Sequence, residues 1–340
     1  MGTANLNAGI VGLGRMGRRH AENLARRIPG VALVAACSPE GDERAYARDV
    51  LGVARVHARY EDLLADKGVD AVFIVTPNTI HPEQIIAAMR AGKHVFCEKP
   101  LALDVESCLA VEAEAAKHAK LKVMIGYTRR FDASYQDARR KIDEGLIGTP
   151  FLVRSETTDM NDPSGFFVRF APKSGGIFVD MGVHDVDVAR WMLGSPKPQR
   201  VFATGTIAVH KGLAECGDVD NGVAICEFEG GKAACFYNSR TMAHGHETQS
   251  EVIGTAGRLV VGRKGRLTQV EIADAHGIRT ETTPTFYERF AEAFQRELAH
   301  FVDCVRLDRA PALTLHDATE ATRIGIALRT SLVERRVVEL

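Results

Sequence analysis

Residues 8–17 read Ala8-Gly9-Ile10-Val11-Gly12-Leu13-Gly14-Arg15-Met16-Gly17. A short apolar run enters G-x-G-x-x-G, and the amphipathic stretch Gly17–Arg27 follows it. Strand, tight turn and helix in that order make this motif meaningful as a dinucleotide fingerprint. Gly12 allows the turn, Gly14 lets the backbone approach a pyrophosphate, and Gly17 lets helix and strand pack closely. The phosphates would then meet unpaired N–H groups at the positive end of the helix dipole.

Outward from this loop the pattern repeats. Brief β-rich runs over Ala8–Val11, Ala32–Cys37, Ala71–Val75, His94–Cys97 and Val123–Ile125 predict strands. Helices are predicted over Gly17–Arg27, Asp42–Leu51, Tyr60–Lys67, His81–Ala91 and Val105–His118. Strands without polar alternation, separated by helices, argue βαβ units and a doubly wound parallel sheet covered on both faces. After Tyr127 the texture changes. A helix near Tyr135–Glu144 precedes alternating runs at Phe151–Ser155, Arg200–Val209, Gly222–Phe228, Lys232–Tyr237, Ser250–Gly254 and Arg258–Val261. Gly230-Gly231 between two of them signals a hairpin. A long helix is predicted at Phe286–Arg306 and another after Thr314. The expected architecture is α/β: a Rossmann domain over 1–125, then an α+β domain with a mainly antiparallel open sheet over 126–340. The last helix could return to the first domain.

The 340 residues carry 43 Lys+Arg against 44 Asp+Glu, a net charge of -1. That balance leaves no electrostatic footprint for nucleic acid or an anionic membrane and favours a small neutral partner. Seven scattered cysteines without a C-x-x-C pair suggest neither a zinc cage nor a disulfide framework. Met1-Gly2-Thr3-Ala4-Asn5-Leu6 lacks the basic-then-apolar pattern of a signal peptide, and no apolar run approaches the ~20 residues of a membrane span. A cytoplasmic location is expected.

Cofactor choice is read about 20 residues beyond the glycine loop, where an acid usually holds the ribose hydroxyls of NAD. Here the segment is Ala36-Cys37-Ser38-Pro39, so Ser38 stands in the acid's place. Arg15, Arg44 and Arg48 could face a 2′-phosphate, whereas Glu40 or Asp42 could supply the carboxylate instead. Local sequence leaves NAD and NADP both open.

Two further stretches narrow the reading. Ala91-Gly92-Lys93-His94-Val95-Phe96-Cys97-Glu98-Lys99-Pro100 ends a predicted strand with E-K-P. Ser174-Gly175-Gly176-Ile177-Phe178-Val179-Asp180-Met181-Gly182-Val183-His184 opens a helix with Asp180 and His184 at i and i+4, hence on one face. With the glycine loop and Thr76-Pro77-Asn78, this order resembles the Gfo/Idh/MocA oxidoreductases over nearly the whole chain, most closely the inositol dehydrogenases. The resemblance implies that Arg15, Met16, Ser38, Arg44, Thr76, Pro77, Asn78, His81, Glu98 and Lys99 border the cofactor. NAD is its first implication.

Oxidising a secondary alcohol with a nicotinamide needs a base for the hydroxyl proton and a pocket that holds the C–H against the ring. The resemblance assigns His184 as that base. Asp180 would orient it and raise its proton affinity, and the Lys99 ammonium would stabilise developing alkoxide. Taken singly, Lys99 reads equally as a surface residue, Asp180 as a helix first-turn acid and His184 as a core histidine. Asp180 and His184 could also ligate a metal, but no third ligand accompanies them.

For the substrate, the resemblance brings Tyr127 and Arg129 of Tyr127-Thr128-Arg129-Arg130-Phe131-Asp132 to the pocket and puts Arg130 in a structural ion pair, with Asp132 as candidate partner. Asp159 and Asn161 could bind hydroxyls or serve as turn residues. His244-Gly245-His246 stands where inositol dehydrogenases tend to carry Tyr-Gly-Tyr, a departure that bears on substrate stereochemistry. Arg169 and Lys173 could close over the substrate. The expected activity is NAD(P)-dependent oxidation of a CH–OH group of a cyclic polyol or sugar, myo- or scyllo-inositol first. Another aldose or keto-sugar enzyme of the family, its NAD-dependent glycoside hydrolase chemistry, and a non-catalytic sugar or dinucleotide sensor are the alternatives. The resemblance also implies a homo-oligomer, a dimer or tetramer paired through the second domain's sheet.

Overall fold

The computed structural model describes residues 5–262, 266–268, 270–275 and 277–340. The first four residues of the amino-terminal segment read above lie outside that range. The chain divides into two compact units, one of residues 1–128 with 292–319 and one of 129–291 with 320–340.

In the first unit, β1 (Leu6–Val11), α1 (Arg15–Arg26), β2 (Val31–Cys37), α2 (Gly41–Asp49), β3 (Arg55–His57), α3 (Tyr60–Ala65), β4 (Ala71–Ile74), α4 (His81–Arg90), β5 (His94–Glu98), α5 (Val105–Lys117) and β6 (Val123–Gly126) alternate along the chain. The sheet order is β3-β2-β1-β4-β5-β6, all parallel. Its strand order reverses between β1 and β4, and ligands of such sheets bind beyond the strand ends at that point. β4 is buried at every residue, as a strand covered on both faces must be. The three-residue β3 is too short to carry a periodic signal and is missing from the predicted strands. Residues 292–319 join this unit because Phe301 is wholly buried on it, 5.4 Å from the Phe73 ring and 5.9 Å from that of Phe96. Each such aromatic pair adds about 0.5–1.5 kcal/mol beyond its buried area. The predicted boundary at 125/126 therefore differs from the observed units in this returning segment.

The second unit contains α6 (Ala133–Asp143), β7 (Pro150–Met160), α7 (Phe166–Phe170), α8 (Ile177–Asp180), α9 (Gly182–Met192), β8 (Pro198–Thr206), β9 (Asn221–Phe228), β10 (Lys232–Met242), β11 (Glu247–Gly254), β12 (Gly257–Val261), β13 (Glu271–Asp274) and β14 (Gly277–Thr280). α10 (Phe286–Arg306) begins here and runs into residues of the first unit, and α11 (Leu315–Glu334) runs the other way, ahead of β15 (Val338–Glu339). The large sheet has order β12-β11-β7-β10-β9-β8-β15 and is antiparallel except between β7 and β10. Gly230-Gly231 turns β9 into β10 as a hairpin.

On one face of this sheet Ala203, Ala224, Cys226, Ala234 and Phe236 are buried. α9 is buried at nine of its residues, including Asp185, Asp187 and Arg190, so its polar groups need internal partners. Asp185 finds them in Ser155, Thr157 and Asn238, at 2.7, 2.7 and 2.8 Å.

Candidate active site

The glycine loop closes β1 against α1. Gly12 has φ +86°, and a side chain there would lie 2.4 Å from the Val75 carbonyl oxygen. A side chain at Gly17 would meet the Gly12 carbonyl oxygen at 2.0 Å, so helix and strand approach as closely as backbone allows. Gly14, in contrast, faces open space, with nothing nearer to a side-chain position than Glu43 Oε1 at 3.9 Å. It is the N-cap of α1 and makes no side-chain capping bond, and the first turn holds no acid. An exposed glycine backbone before an uncapped helix fits a pyrophosphate. Arg15 is exposed and Met16 half-buried on that first turn.

Ser38 is fully buried at the end of β2 and donates to Glu43 Oε2 at 2.6 Å. The carboxylate at the strand end thus comes from Glu43 and not from Glu40 or Asp42, which are exposed. Arg44 turns inward, its Nη1 2.7 Å from the carbonyl oxygens of both Ser38 and Pro39. Through that nitrogen it braces the β2–α2 turn. Arg48 pairs with Asp49 at the surface.

Lys99 follows β5, and the Lys99–Pro100 bond is cis. Glu98 accepts from the Lys99 backbone N–H at 3.2 Å, and its Oε1 lies 2.6 Å from His20 Nε2. Burial opposes charge on Glu98, but the His20 contact, the imidazole's charge and Lys99 outweigh it and hold the carboxyl below its usual range. His81 is buried with Nδ1 2.9 Å from the Pro100 carbonyl oxygen and Nε2 2.9 Å from that of Thr76. Burial lowers its proton affinity. Both nitrogens face backbone carbonyls, the one that carries the proton donating, so His81 ties the Thr76 loop to the E-K-P turn. Thr76 donates to Gln84 at 2.6 Å, and Pro77 leads into the single helical turn Asn78–Ile80.

In the second unit Asp180 ends α8 and His184 lies in the first turn of α9, with Met181 between them. They sit on successive helical segments and not on one continuous helix. A side chain at Gly182 would strike Asn238 Oδ1 at 2.7 Å, which accounts for the glycine at the junction. In the run 177–190 only Asp180 and His184 are partly exposed; every other residue is buried. Arg240, on β10 and with no exposed side-chain surface, donates to Asp180 Oδ2 at 3.1 Å and to Asp218 Oδ2 at 3.3 Å. Its guanidinium also stands 5.3 Å from the Phe167 ring centre. Asp218 in turn accepts the Ile177 N–H at 2.9 Å, so the start and the end of α8 are tied to one arginine.

The substrate candidates separate into anchored and open groups. Arg129 is buried, with Nη1 2.7 Å from Asp185 Oδ1 and Nη2 2.5 Å from Thr157 Oγ1, so its guanidinium is committed inside the unit. Arg130 makes a two-pronged pair with Asp187, at 2.9 and 2.6 Å. Asp132 caps α6 and pairs with Arg289 at 2.9 Å. Tyr127 is buried just beyond β6. His246 is buried, with Nδ1 2.8 Å from Asp159 Oδ1 and Nε2 2.7 Å from Thr248 Oγ1. It supports Asp159 through one nitrogen and meets the Thr248 hydroxyl through the other. Asp159 keeps its other oxygen on a half-exposed side chain, and Asn161 Oδ1 is buried without a hydrogen-bond partner among the described residues. His244 is exposed beside Glu247, at 3.1 Å. Arg169 bonds the Ser164 carbonyl oxygen at 2.6 Å, and Lys173 is exposed.

Residues 6–127 match the model of the oxidoreductase family with an NAD-binding Rossmann fold, and residues 135–260 match the Gfo/Idh/MocA C-terminal domain. The chain belongs to the Gfo/Idh/MocA oxidoreductase family. It is 39% identical to a scyllo-inositol 2-dehydrogenase (NAD(+)) of Bacillus subtilis over 97% of this chain and 95% of the relative. It is 34% identical to a myo-inositol 2-dehydrogenase of Thermotoga maritima over 98% of each. A scyllo-inositol dehydrogenase of Lactobacillus casei, solved with NAD(H) and scyllo-inositol, superposes with a TM-score of 0.95 at 37% identity, covering 98% of this chain and 99% of that one.

Among this oxidoreductase's described residues no group of three His, Cys, Asp or Glu could hold a metal, and no helix is long and apolar enough to cross a membrane. Burial pushes the Cys37 thiol up to about 11 and that of Cys226 to about 12, which leaves both un-ionised at neutral pH. Sequence reasoning missed Glu43 and Arg240. The usable signal for Arg240 was Asn238-Ser239-Arg240, a polar run on a strand whose inward positions are otherwise apolar.

Proposed function

We propose that this enzyme is an NAD-dependent inositol 2-dehydrogenase acting on scyllo- or myo-inositol. The observation that carries the reading is end-to-end similarity to scyllo- and myo-inositol 2-dehydrogenases, in a chain that retains Lys99, Asp180 and His184. When bound, NAD would supply the hydride acceptor. The role read for His184 is to take the proton of the secondary hydroxyl, and that for the Lys99 ammonium is to stabilise developing alkoxide character. Asp180, fixed by Arg240, orients the imidazole. Asp159, supported by His246, hydrogen-bonds ring hydroxyls together with Asn161.

The first unit holds the dinucleotide, and the second holds the polyol and the face used for self-association. Phe202, Val223 and Ile225 are exposed on paired strands β8 and β9, opposite the buried Ala203, Ala224 and Cys226, which supports a dimer or tetramer. Seven free cysteines agree with a cytoplasmic location.

A panel of inositol stereoisomers and aldoses, each run with NAD and NADP, tests the reading by release of reduced nicotinamide. Turnover of scyllo- or myo-inositol with NAD is expected. Oxidation of an aldose with no activity on any inositol overturns it, and binding without turnover of any substrate indicates a sensor.

A further inference from the structure

The chain departs from the usual Rossmann pattern at the end of β2, where Ser38 replaces the acid that recognises the adenosine ribose. The structure shows what fills the gap. Glu43, on the first turn of α2, folds back so that its Oε2 accepts from Ser38 Oγ at 2.6 Å and from the Leu13 backbone N–H of the glycine loop at 3.2 Å. Ser38 is in turn fixed by accepting the Glu40 N–H at 3.1 Å. These contacts use one carboxylate oxygen. The other, Oε1, is the group nearest a side-chain position at Gly14, at 3.9 Å, on the open side of the loop. Two nearby guanidiniums point their donors at other groups. Arg44 is engaged by the Ser38 and Pro39 carbonyls, and Arg18 by the Leu13 carbonyl oxygen at 3.2 Å and Asp42 at 4.0 Å.

We propose that Glu43 selects NAD over NADP, its Oε1 accepting a hydrogen bond from an adenosine ribose hydroxyl and repelling a 2′-phosphate at the same place. The proposal rests on the reading that the glycine loop holds a nicotinamide dinucleotide. A carboxylate is acceptor-only, so it pairs with a hydroxyl, and next to a phosphate it sets like charges together. Ser38 does not bind the ribose itself; it is the positioning residue that aims Glu43.

The test is direct binding of NADH and NADPH to the full-length protein, followed by nicotinamide fluorescence and independent of turnover. Wild-type protein should bind NADH at least about tenfold more tightly than NADPH, since a charged hydrogen bond is lost and a repulsion gained. Glu43→Gln should narrow the ratio by about tenfold or more, chiefly by tightening NADPH. Glu43→Ala should weaken NADH and remove the discrimination. Ser38→Asp in the Glu43→Gln background returns an acid to the strand end and should restore the preference for NADH. An unchanged ratio in both Glu43→Gln and Glu43→Ala overturns the assignment, as does a wild-type protein that binds NADPH equally well. If the wild type binds neither dinucleotide, the cofactor reading itself falls.

Discussion

Arg240 Nη2 donates to Asp180 Oδ2 across 3.1 Å from a side chain with no solvent exposure. The same guanidinium meets Asp218, whose other oxygen caps the N–H of Ile177. One buried cation therefore sets the start and the end of the helix that presents Asp180. Arg240→Met would leave two facing carboxylates without their counter-charge, a change that typically costs about 3–5 kcal/mol. Chemical denaturation should show a loss of that size. Arg240→Lys keeps a charge but cannot span both carboxylates, so it should fold more stably than Arg240→Met and lose roughly tenfold in kcat. NADH affinity should stay unchanged. A matching loss of NADH binding would mean that Arg240 acts on global structure and not on Asp180.

Lys99→Ala and His184→Ala separate chemistry from binding. A positioned acid or base contributes about 10²–10⁴ in rate, and each variant should lose at least that much kcat while retaining the wild-type affinity for NADH. Stopped-flow and steady-state assays with inositol measure this. Near-normal turnover in either variant removes that residue from the mechanism.

The parallel sheet and the glycine loop were legible because both signals are local: apolar runs too short for helices, and glycines where a side chain at 12 or 17 would collide with backbone. E-K-P and the Asp180–His184 spacing were legible as patterns, yet not their geometry. The need for glycine at 182, beside the break at Met181, depends on Asn238, far along the chain, which leaves no room for a side chain there. Glu43 was invisible for a related reason. An acid on an amphipathic helix reads as solvated until Ser38, five residues earlier, is seen to bond it. Arg129 and His246 look like pocket residues in a list of polar side chains, and only their partners Asp185 and Asp159 show that they brace the second unit.

The exposed row on β8 and β9 sets a third expectation. Phe202 and Ile225 are cross-strand partners on the face opposite the core, and neither is more than 46% exposed even in the isolated chain. A charge there should not disturb folding, because surface substitutions usually stay within about ±0.5 kcal/mol. Phe202→Lys combined with Ile225→Thr, which avoids like charges on cross-strand partners, should shift the protein to a monomer in light scattering while its far-ultraviolet circular dichroism is unchanged. A wild-type protein that is already monomeric at micromolar concentration ends this reading.

Glu297 on α10 gives a pH signature. It is wholly buried, neither carboxyl oxygen has a hydrogen-bond partner among the described residues, and burial followed by the charge of Glu98 pushes its pKa well above the usual carboxylate range. A carboxyl raised on folding supports the native state below its unfolded pKa of about 4.3, and that support is lost as pH rises through the folded value. Glu98, held low, acts in the opposite window: its contribution is present above about pH 4 and disappears under acid. Glu297→Gln removes the proton requirement with little change of shape. Thermal melts at a series of pH values should show wild type and variant close together near pH 5, with the wild type falling behind as pH rises toward 9. The gap should widen by up to about 1.4 kcal/mol for each pH unit between the unfolded and the folded pKa. A gap that stays constant with pH would show that Glu297 keeps one protonation state in the folded and unfolded chain alike.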